Sequence, residues 1–342
     1  MKEELFEEYS KEKEPTKYYK SYAWKTAIGL QKVDGLEPSE YLIKTAEQSI
    51  NGDISFDDAH KLITSYYKEN KSQAERTEEA DKVSVRIAQI ISENSFVFSP
   101  IELITIHKRL FEGIYSHAGT IRDYNISKQE WVLDGDTVIY GNAYNLRETL
   151  DYDLNIEKSF DYTGLSTEEI IKHIARFVSN LWQIHIFGEG NTRTTAVFLI
   201  KYLSKLGFNV TNDIFAENSW YFRNALVRAN YNNRAKNVSE TTYYIELFLR
   251  NLLLNEDNIL SNREMHISYK EIKEKPQETT EREALILNLL RENPQITLAE
   301  ISEKIDKSLR TVKASIKSMQ NKGIIERIGS KKSGSWKVKD LI

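Results

Sequence analysis

The 342-residue sequence contains no cysteine, which excludes disulfides, thiol catalysis and thiolate metal ligation and fits a reducing compartment. It has no apolar run of about 18 residues, so no membrane-spanning helix is expected. The opening MKEELFEEYSKEKEP alternates acid and base and lacks the apolar stretch of a signal peptide. These absences imply a soluble, cytoplasmic protein with no membrane partner. Neither sign of charge dominates, with 47 Lys and Arg against 51 Asp and Glu, a formal net charge of −4. A chain that coats nucleic acid along its whole length is thereby excluded, while a local basic module stays open.

What is present is mostly helical periodicity, interrupted by few prolines and glycines. Residues 1–17 are charged and aperiodic and read as a frayed tail. Residues 18–75 hold three short amphipathic helices, punctuated by Gly35, Pro38 and Asn51-Gly52. So small a set would struggle to bury a core alone and is expected to pack on the larger helical region after it. The polar stretch 68–82 lacks Gly and Pro and reads as a helical connector. Residues 76–265 form the main helical domain, and a charged linker ends at Pro276.

One segment of the main domain breaks the pattern. In WVLDGDTVIY, 131–140, two β-prone runs flank Asp134-Gly135, the pair a two-residue type I′ turn prefers because both positions need positive φ. A β-hairpin is predicted there.

Residues 277–342 predict three helices and a two-stranded wing, the pattern of a winged helix-turn-helix. Thr297 and Glu300 form a capping-box start, and the third helix runs from Ser308 to a stop at Gly323. From Lys304 to Lys339 there are eleven Lys or Arg against Asp306 and Glu326, a net of +9. Arg310, Lys313 and Lys317 share one helical face, and Lys331-Lys332 fall in the wing. DNA contact and protein contact both suit such a module, with DNA favoured.

The chemistry is concentrated in HIFGEGNTRTTAVF, 185–198, a loop leading into a helix start. Gly188 and Gly190 permit a tight path, and Asn191-Thr192 begins the helix. Free N–H groups and the helix dipole there favour an anion. Arg193, unfavourable at a helix start, makes sense as a clamp on that anion. Glu189 has the opposite sign and suits a divalent metal bridging carboxylate and phosphate oxygens. His185 can take a proton from an incoming hydroxyl. Taken singly, the histidine also suits a core position. Together the parts meet the separate needs of phosphoryl or nucleotidyl transfer.

At these residues the sequence resembles the Fic family, whose signature is His-x-Phe-x-(Asp/Glu)-Gly-Asn-(Gly/Lys)-Arg-x-x-Arg. His185, Phe187, Glu189, Gly190, Asn191 and Arg193 match; Thr192 and Ala196 depart, the latter from the second arginine. The resemblance implies AMP transfer from ATP to a protein Tyr, Ser or Thr, self-modification included. It assigns His185 as base, Glu189 as Mg²⁺ ligand, and Gly190, Asn191 and Arg193 as phosphate contacts. Phe187 becomes the loop's core anchor. Segment 131–140 then corresponds to the family's flap, with Val132, Leu133, Val138 and Ile139 docking a target strand. The Gly119-x-x-Arg122 before it resembles a structural feature of the family, and Asn224 and Tyr231 lie where its adenosine pocket is built.

Residues 18–75 resemble the small antitoxin-type domain of some Fic proteins, whose inhibitory glutamate pairs with the second arginine. Here Asp34 stands in that glutamate's place and Ala196 in the arginine's. With both halves changed, Asp34 is expected to lack a cation and to inhibit weakly. The overall expectation is a mainly α protein: helical N-terminal domain, Fic core with β-hairpin flap, and winged helix. Its expected function is protein adenylyltransfer with ATP and Mg²⁺. Still open are another phosphate-containing donor, AMP removal, and a DNA-binding regulator whose core senses nucleotide. The target protein and any homo-oligomer also stay open.

Overall fold

The computed structural model describes residues 15–70, 75–269, 281–321, 324–328 and 335–338. The chain divides into two compact units, Met1–Tyr269 and Lys270–Ile342.

In the first unit, α1 (Pro15–Gly29) leads into a 3₁₀ turn, Leu30–Asp34, followed by α2 (Glu40–Asn51) and α3 (Phe56–Glu69). Then come α4 (Glu75–Ser92), α5 (Pro100–Phe111), α6 (Leu146–Ser159), α7 (Thr167–Ile184) and α8 (Asn191–Lys205). The unit closes with α9 (Ile214–Ala229), α10 (Tyr243–Leu254) and the single turn α11 (Asn262–Met265). The helix starts follow from local chemistry. Ser55 with Asp58 and Ser166 with Glu169 make capping boxes, and Ser39 and Ser99 cap α2 and α5. The expected tail is shorter than its sequence suggests, because helix begins at Pro15; residues 1–14 lie outside the described part. The connector is helical over 75–82, and 71–74 lie outside the described part.

Helix α8 is the axis of this unit. Its residues Asn191 to Leu203 are buried on every face, and it packs against α4, α5 and α7. The N-terminal helices share the same core rather than a separate one. Helix α1 lies along α4 and α9, with Trp24 fully buried. Its C-terminal Gly29 sits so close to α9 that an added Cβ would meet the Ala216 carbonyl at 2.2 Å. Lys25 pairs with Asp213 at 2.9 Å on the same contact. The following 3₁₀ turn touches α4, α8 and α9, and this brings Asp34 to the start of α8.

The predicted hairpin is a correction. Asp134 and Gly135 do take positive φ, 58° and 81°, as their turn chemistry requires. The flanking runs do not form strands. Trp131–Leu133 is a 3₁₀ turn, and Val132 and Leu133 are both fully buried. Two successive inward side chains cannot belong to a strand that alternates across an open edge. The Val132 carbonyl is taken by the Ile267 N–H at 3.0 Å. Val138 is also buried, so of the four proposed docking residues Ile139 alone is exposed. Even there the carbonyl accepts from Gln183 Nε2 at 3.0 Å. The segment is a loop folded onto the core by apolar burial.

The second unit comprises α12 (Glu281–Glu292), α13 (Leu298–Lys304), α14 (Leu309–Asn321), β1 (Ile325–Ile328) and β2 (Ser335–Val338). The strands pair antiparallel, with Ile325 opposite Val338. Thr297 and Glu300 make the expected capping box. Leu290, Ile301, Val312, Ile316, Met319 and Trp336 form its own core. Arg310, Lys313 and Lys317 are exposed on α14, opposite that apolar stripe. Lys322, Gly323 and the wing lysines 331 and 332 lie outside the described residues.

Candidate active site

The loop between α7 and α8 is held by several buried contacts. His185 caps α7 in the left-handed region, φ 48° and ψ 54°, a conformation that costs an L residue about 1–2 kcal/mol. Arg122 supports it, donating from Nε to the His185 carbonyl at 2.7 Å and from Nη2 to the Gly141 carbonyl at 2.6 Å. Arg122 is the structural clasp its position suggested. Phe187 is buried and stacks on His107, ring centroids 3.7 Å apart, which makes it the expected anchor. His107 Nε2 in turn donates to the Glu189 carbonyl at 3.0 Å.

The His185 imidazole is buried, and the Trp182 carbonyl fixes its orientation. Its Nδ1 lies 3.3 Å from the Trp182 carbonyl, which assigns the proton to Nδ1 and leaves a lone pair on Nε2. Burial first, then the charges of Lys128, Arg122 and Arg223, push its pKa well below the usual histidine value, against the Trp182 hydrogen bond. The ring is therefore neutral at neutral pH. Tyr140 packs against it at 4.3 Å, and Tyr140 Oη donates to Glu130 at 3.0 Å. The buried Glu130 carboxylate also pairs with Arg223 of α9 at 2.7 Å. That chain of contacts ties the imidazole to the 131–140 loop and to α9.

The two glycines have different steric reasons. At Gly190, φ is 74°, and an added Cβ would meet the Phe111 ring at 2.4 Å. At Gly188 a Cβ would meet Tyr124 Oη at 2.7 Å. Asn191 folds back on the loop, accepting from the Phe187 N–H at 3.0 Å and donating to the Phe187 carbonyl at 2.8 Å. Its side chain braces the loop, so any anion contact from it is through its backbone. Thr192 Oγ1 accepts from Trp182 Nε1 at 3.0 Å, joining the start of α8 to α7. Among the described residues the N–H groups of Asn191, Thr192 and Arg193 take no acceptor, and no side chain caps this helix. Three free donors at a positive dipole end make an anion nest.

Arg193 is where the structure departs most from the sequence reading. Its guanidinium is fully buried and turned toward the N-terminal helices. Nε lies 2.8 Å from Asp34 Oδ2, an ion contact without an aligned hydrogen bond. Nη2 donates to Glu79 at 2.6 Å and to Tyr115 Oη at 3.2 Å, and Nη1 to Gln31 Oε1 at 3.1 Å. The Phe111 ring lies beneath it at 4.8 Å. Burial opposes the charge, but Asp34, Tyr115 and Glu79 outweigh it and hold the pKa above its ordinary value. The expectation that Asp34 lacks a cation is therefore overturned. Gly35 at φ 64° turns the chain after Asp34, and Arg76 holds the Asp34 carbonyl at 2.7 Å. These fix the carboxylate at Arg193, one helical turn before the alanine at 196.

Glu189 points outward and pairs with Lys128 Nζ at 3.0 Å. Among the described residues no group of three or more His, Asp or Glu could hold a metal. A single carboxylate suits Mg²⁺, which keeps several waters and takes most of its protein-site ligands from substrate phosphates. Asn224 is buried on α9, donating to Asn262 Oδ1 at 2.8 Å, with its own Oδ1 left without a partner. Tyr231 is buried too, and its hydroxyl donates to Asp136 at 2.7 Å. Asn224 is thus engaged by α11 and Tyr231 by the 131–140 loop.

Sequence reasoning missed Gln31, Glu79, Tyr115, Lys128 and Tyr140, each brought in by tertiary packing, although Tyr140 ends the 131–140 segment. It also missed Arg228, whose buried Nε and Nη1 have no acceptor. Its one sequence signal is the spacing of one helical turn from Asn224.

The family model for Fic/DOC matches residues 97–203, and that for a winged helix-turn-helix, described as DNA-binding, matches residues 281–326. No curated protein matches the sequence. A crystal structure of a Fic family protein from Desulfovibrio desulfuricans G20 is similar over 99% of this chain and 94% of that one. The TM-score is 0.47 and the identity 10%, too faint a likeness to bear on function. Residues 97–203, which hold the loop and its imidazole, are a Fic/DOC family domain, and the chain joins that helical core to a C-terminal winged helix.

Proposed function

We propose that this chain is a protein adenylyltransferase, moving AMP from ATP to a Tyr, Ser or Thr hydroxyl, itself among the targets. The observation that carries the reading is the juxtaposition of a neutral, buried imidazole with three unpaired N–H groups at the start of α8. His185 Nε2 takes the proton of the incoming hydroxyl as its oxygen attacks the α-phosphorus. The new P–O bond forms as the bond to pyrophosphate breaks, and the electron pair leaves with pyrophosphate. The α8 N–H groups hold the phosphate chain. Mg²⁺, held by Glu189 and the phosphates, would supply charge neutralisation. Asn224 and Tyr231 are assigned to the adenosine side, and the reaction to the cytoplasm. Among the described residues no helix is long and apolar enough to cross a membrane.

In this reading the N-terminal helices act as an antitoxin-like brake. Asp34 and Glu79 hold Arg193 away from the nest, so transfer requires their release. Incubation with labelled ATP and Mg²⁺ tests the reading: label on the chain that depends on His185 supports it. A chain that binds nucleotide and never transfers it favours a nucleotide-sensing regulator.

The exposed basic face of α14 supports a second role in DNA binding, independent of the chemistry. Arg310, Lys313 and Lys317 would then meet the duplex.

A further inference from the structure

The transfer reading leaves a charge problem, and Lys128 answers it. A nucleotide's phosphate chain needs cations, and most of those near the loop are committed. Arg193 is held by Asp34 and Glu79. Arg122 is spent on backbone carbonyls, and Arg223 on the buried Glu130. One turn after Arg193, residue 196 is an alanine.

Lys128 differs in its partner. Its backbone N–H is fixed to Thr137 Oγ1 at 3.2 Å, on the limb entering the 131–140 loop. Its ammonium reaches Glu189, a loop residue, at 3.0 Å. That pair is solvent-open, with side chains 27% and 55% exposed. Exposed pairs of this kind contribute about 0–1 kcal/mol, so parting them costs little. Lys128 is also close enough to His185 for its charge to oppose protonation of the ring. It is therefore paired with the outward carboxylate while lying within electrostatic reach of the base.

We propose that Lys128 is a substrate-contacting residue whose ammonium leaves Glu189 for the phosphate chain of an arriving nucleoside triphosphate. The exchange supplies the cation that position 196 lacks. It also leaves the Glu189 carboxylate for a divalent cation. The proposal rests on the nucleotide-transfer reading and adds a residue to it.

The test is equilibrium binding of ATP, with EDTA and with Mg²⁺, by calorimetry. The full-length chain carries Asp34→Ala, which loosens the hold on Arg193. Adding Lys128→Met is expected to weaken metal-free ATP binding tenfold or more, the scale of a charge-assisted hydrogen bond. Lys128→Arg should restore most of it. Glu189→Gln is expected to act in the opposite direction, tightening metal-free binding severalfold, because Lys128 no longer has to leave a carboxylate. The same variant should lose the added affinity that Mg²⁺ gives. A pair that merely straps the loop would make Lys128→Met and Glu189→Gln weaken binding alike, and that result overturns the proposal. So does unchanged binding in Lys128→Met while the Asp34→Ala parent binds ATP, which leaves the transfer reading standing. A parent that binds no ATP with or without Mg²⁺ overturns both.

Discussion

Asp34 Oδ2 and Arg193 Nε meet at 2.8 Å, joining a 3₁₀ turn of the N-terminal helices to the first turn of the helix that carries the anion nest. Glu79 shares the same guanidinium at 2.6 Å. Two carboxylates on one buried cation leave it little freedom to turn toward a phosphate. Because they share a partner, their effects on transfer should not add. Asp34→Ala and Glu79→Gln together should raise self-labelling by a factor different from the product of the single effects. Equal product and double effect, measured as initial rates, would show that the carboxylates act separately.

His107 gives the fold a pH dependence. Its Nδ1 accepts from the Gly119 N–H at 2.8 Å while Nε2 donates to Glu189, so the ring is bound in its neutral form. Burial lowers its pKa from 6.5 to about 4. The unfolded chain takes the proton near 6.5 and the folded chain near 4. Stability from this group is thus complete above about pH 6.5 and is lost as pH falls toward 4. The loss is about 3 kcal/mol. Chemical-denaturation midpoints from pH 7 to 4 should fall more steeply in the parent than in His107→Gln; parallel slopes would remove His107 as the cause.

Gly190→Ala should destabilise by roughly 2–4 kcal/mol, combining left-handed strain with a clash against Phe111. Gly135→Ala, also at positive φ but with open space around its Cβ, should cost less. Denaturant midpoints compare the two, and equal losses would mean that the Phe111 contact relaxes without cost.

If α14 meets DNA, retention of the full chain on duplex should fall steeply with salt. Arg310→Glu with Lys313→Glu should abolish it. Retention that ignores salt, or survives both changes, assigns the module to protein contact.

The loop from His185 to Arg193 was legible in the sequence because its requirements are local. A helix end, two sterically demanded glycines and a helix start lie within a few residues. The winged helix was legible for a similar reason: its capping box and apolar stripe are short-range signals. The partner of Arg193 was not. Position 196 invited the expectation of an unpaired Asp34, yet a long side chain from one turn earlier reaches the same carboxylate. Packing of the N-terminal helices on α4 and α9 decides that, and no motif encodes it. The 131–140 loop misled in another way. Its turn chemistry was correct, but burial of the neighbouring Val132 and Leu133 overrode their strand preference. Asn191 shows the remaining limit, since a residue expected to contact phosphate spends its side chain holding Phe187.

The central claim is a transferase whose base is His185 and whose Arg193 is held by Asp34. Self-labelling from α-labelled ATP with Mg²⁺, compared among parent, Asp34→Ala and Asp34→Ala/His185→Ala, tests it most directly. Asp34→Ala should raise the labelling rate tenfold or more, since it removes one of the two carboxylates that hold the arginine. Adding His185→Ala should then lower the rate by about 10²–10⁴ while ATP still binds. Labelling that Asp34→Ala leaves unchanged, or that persists at full rate without His185, would contradict the account.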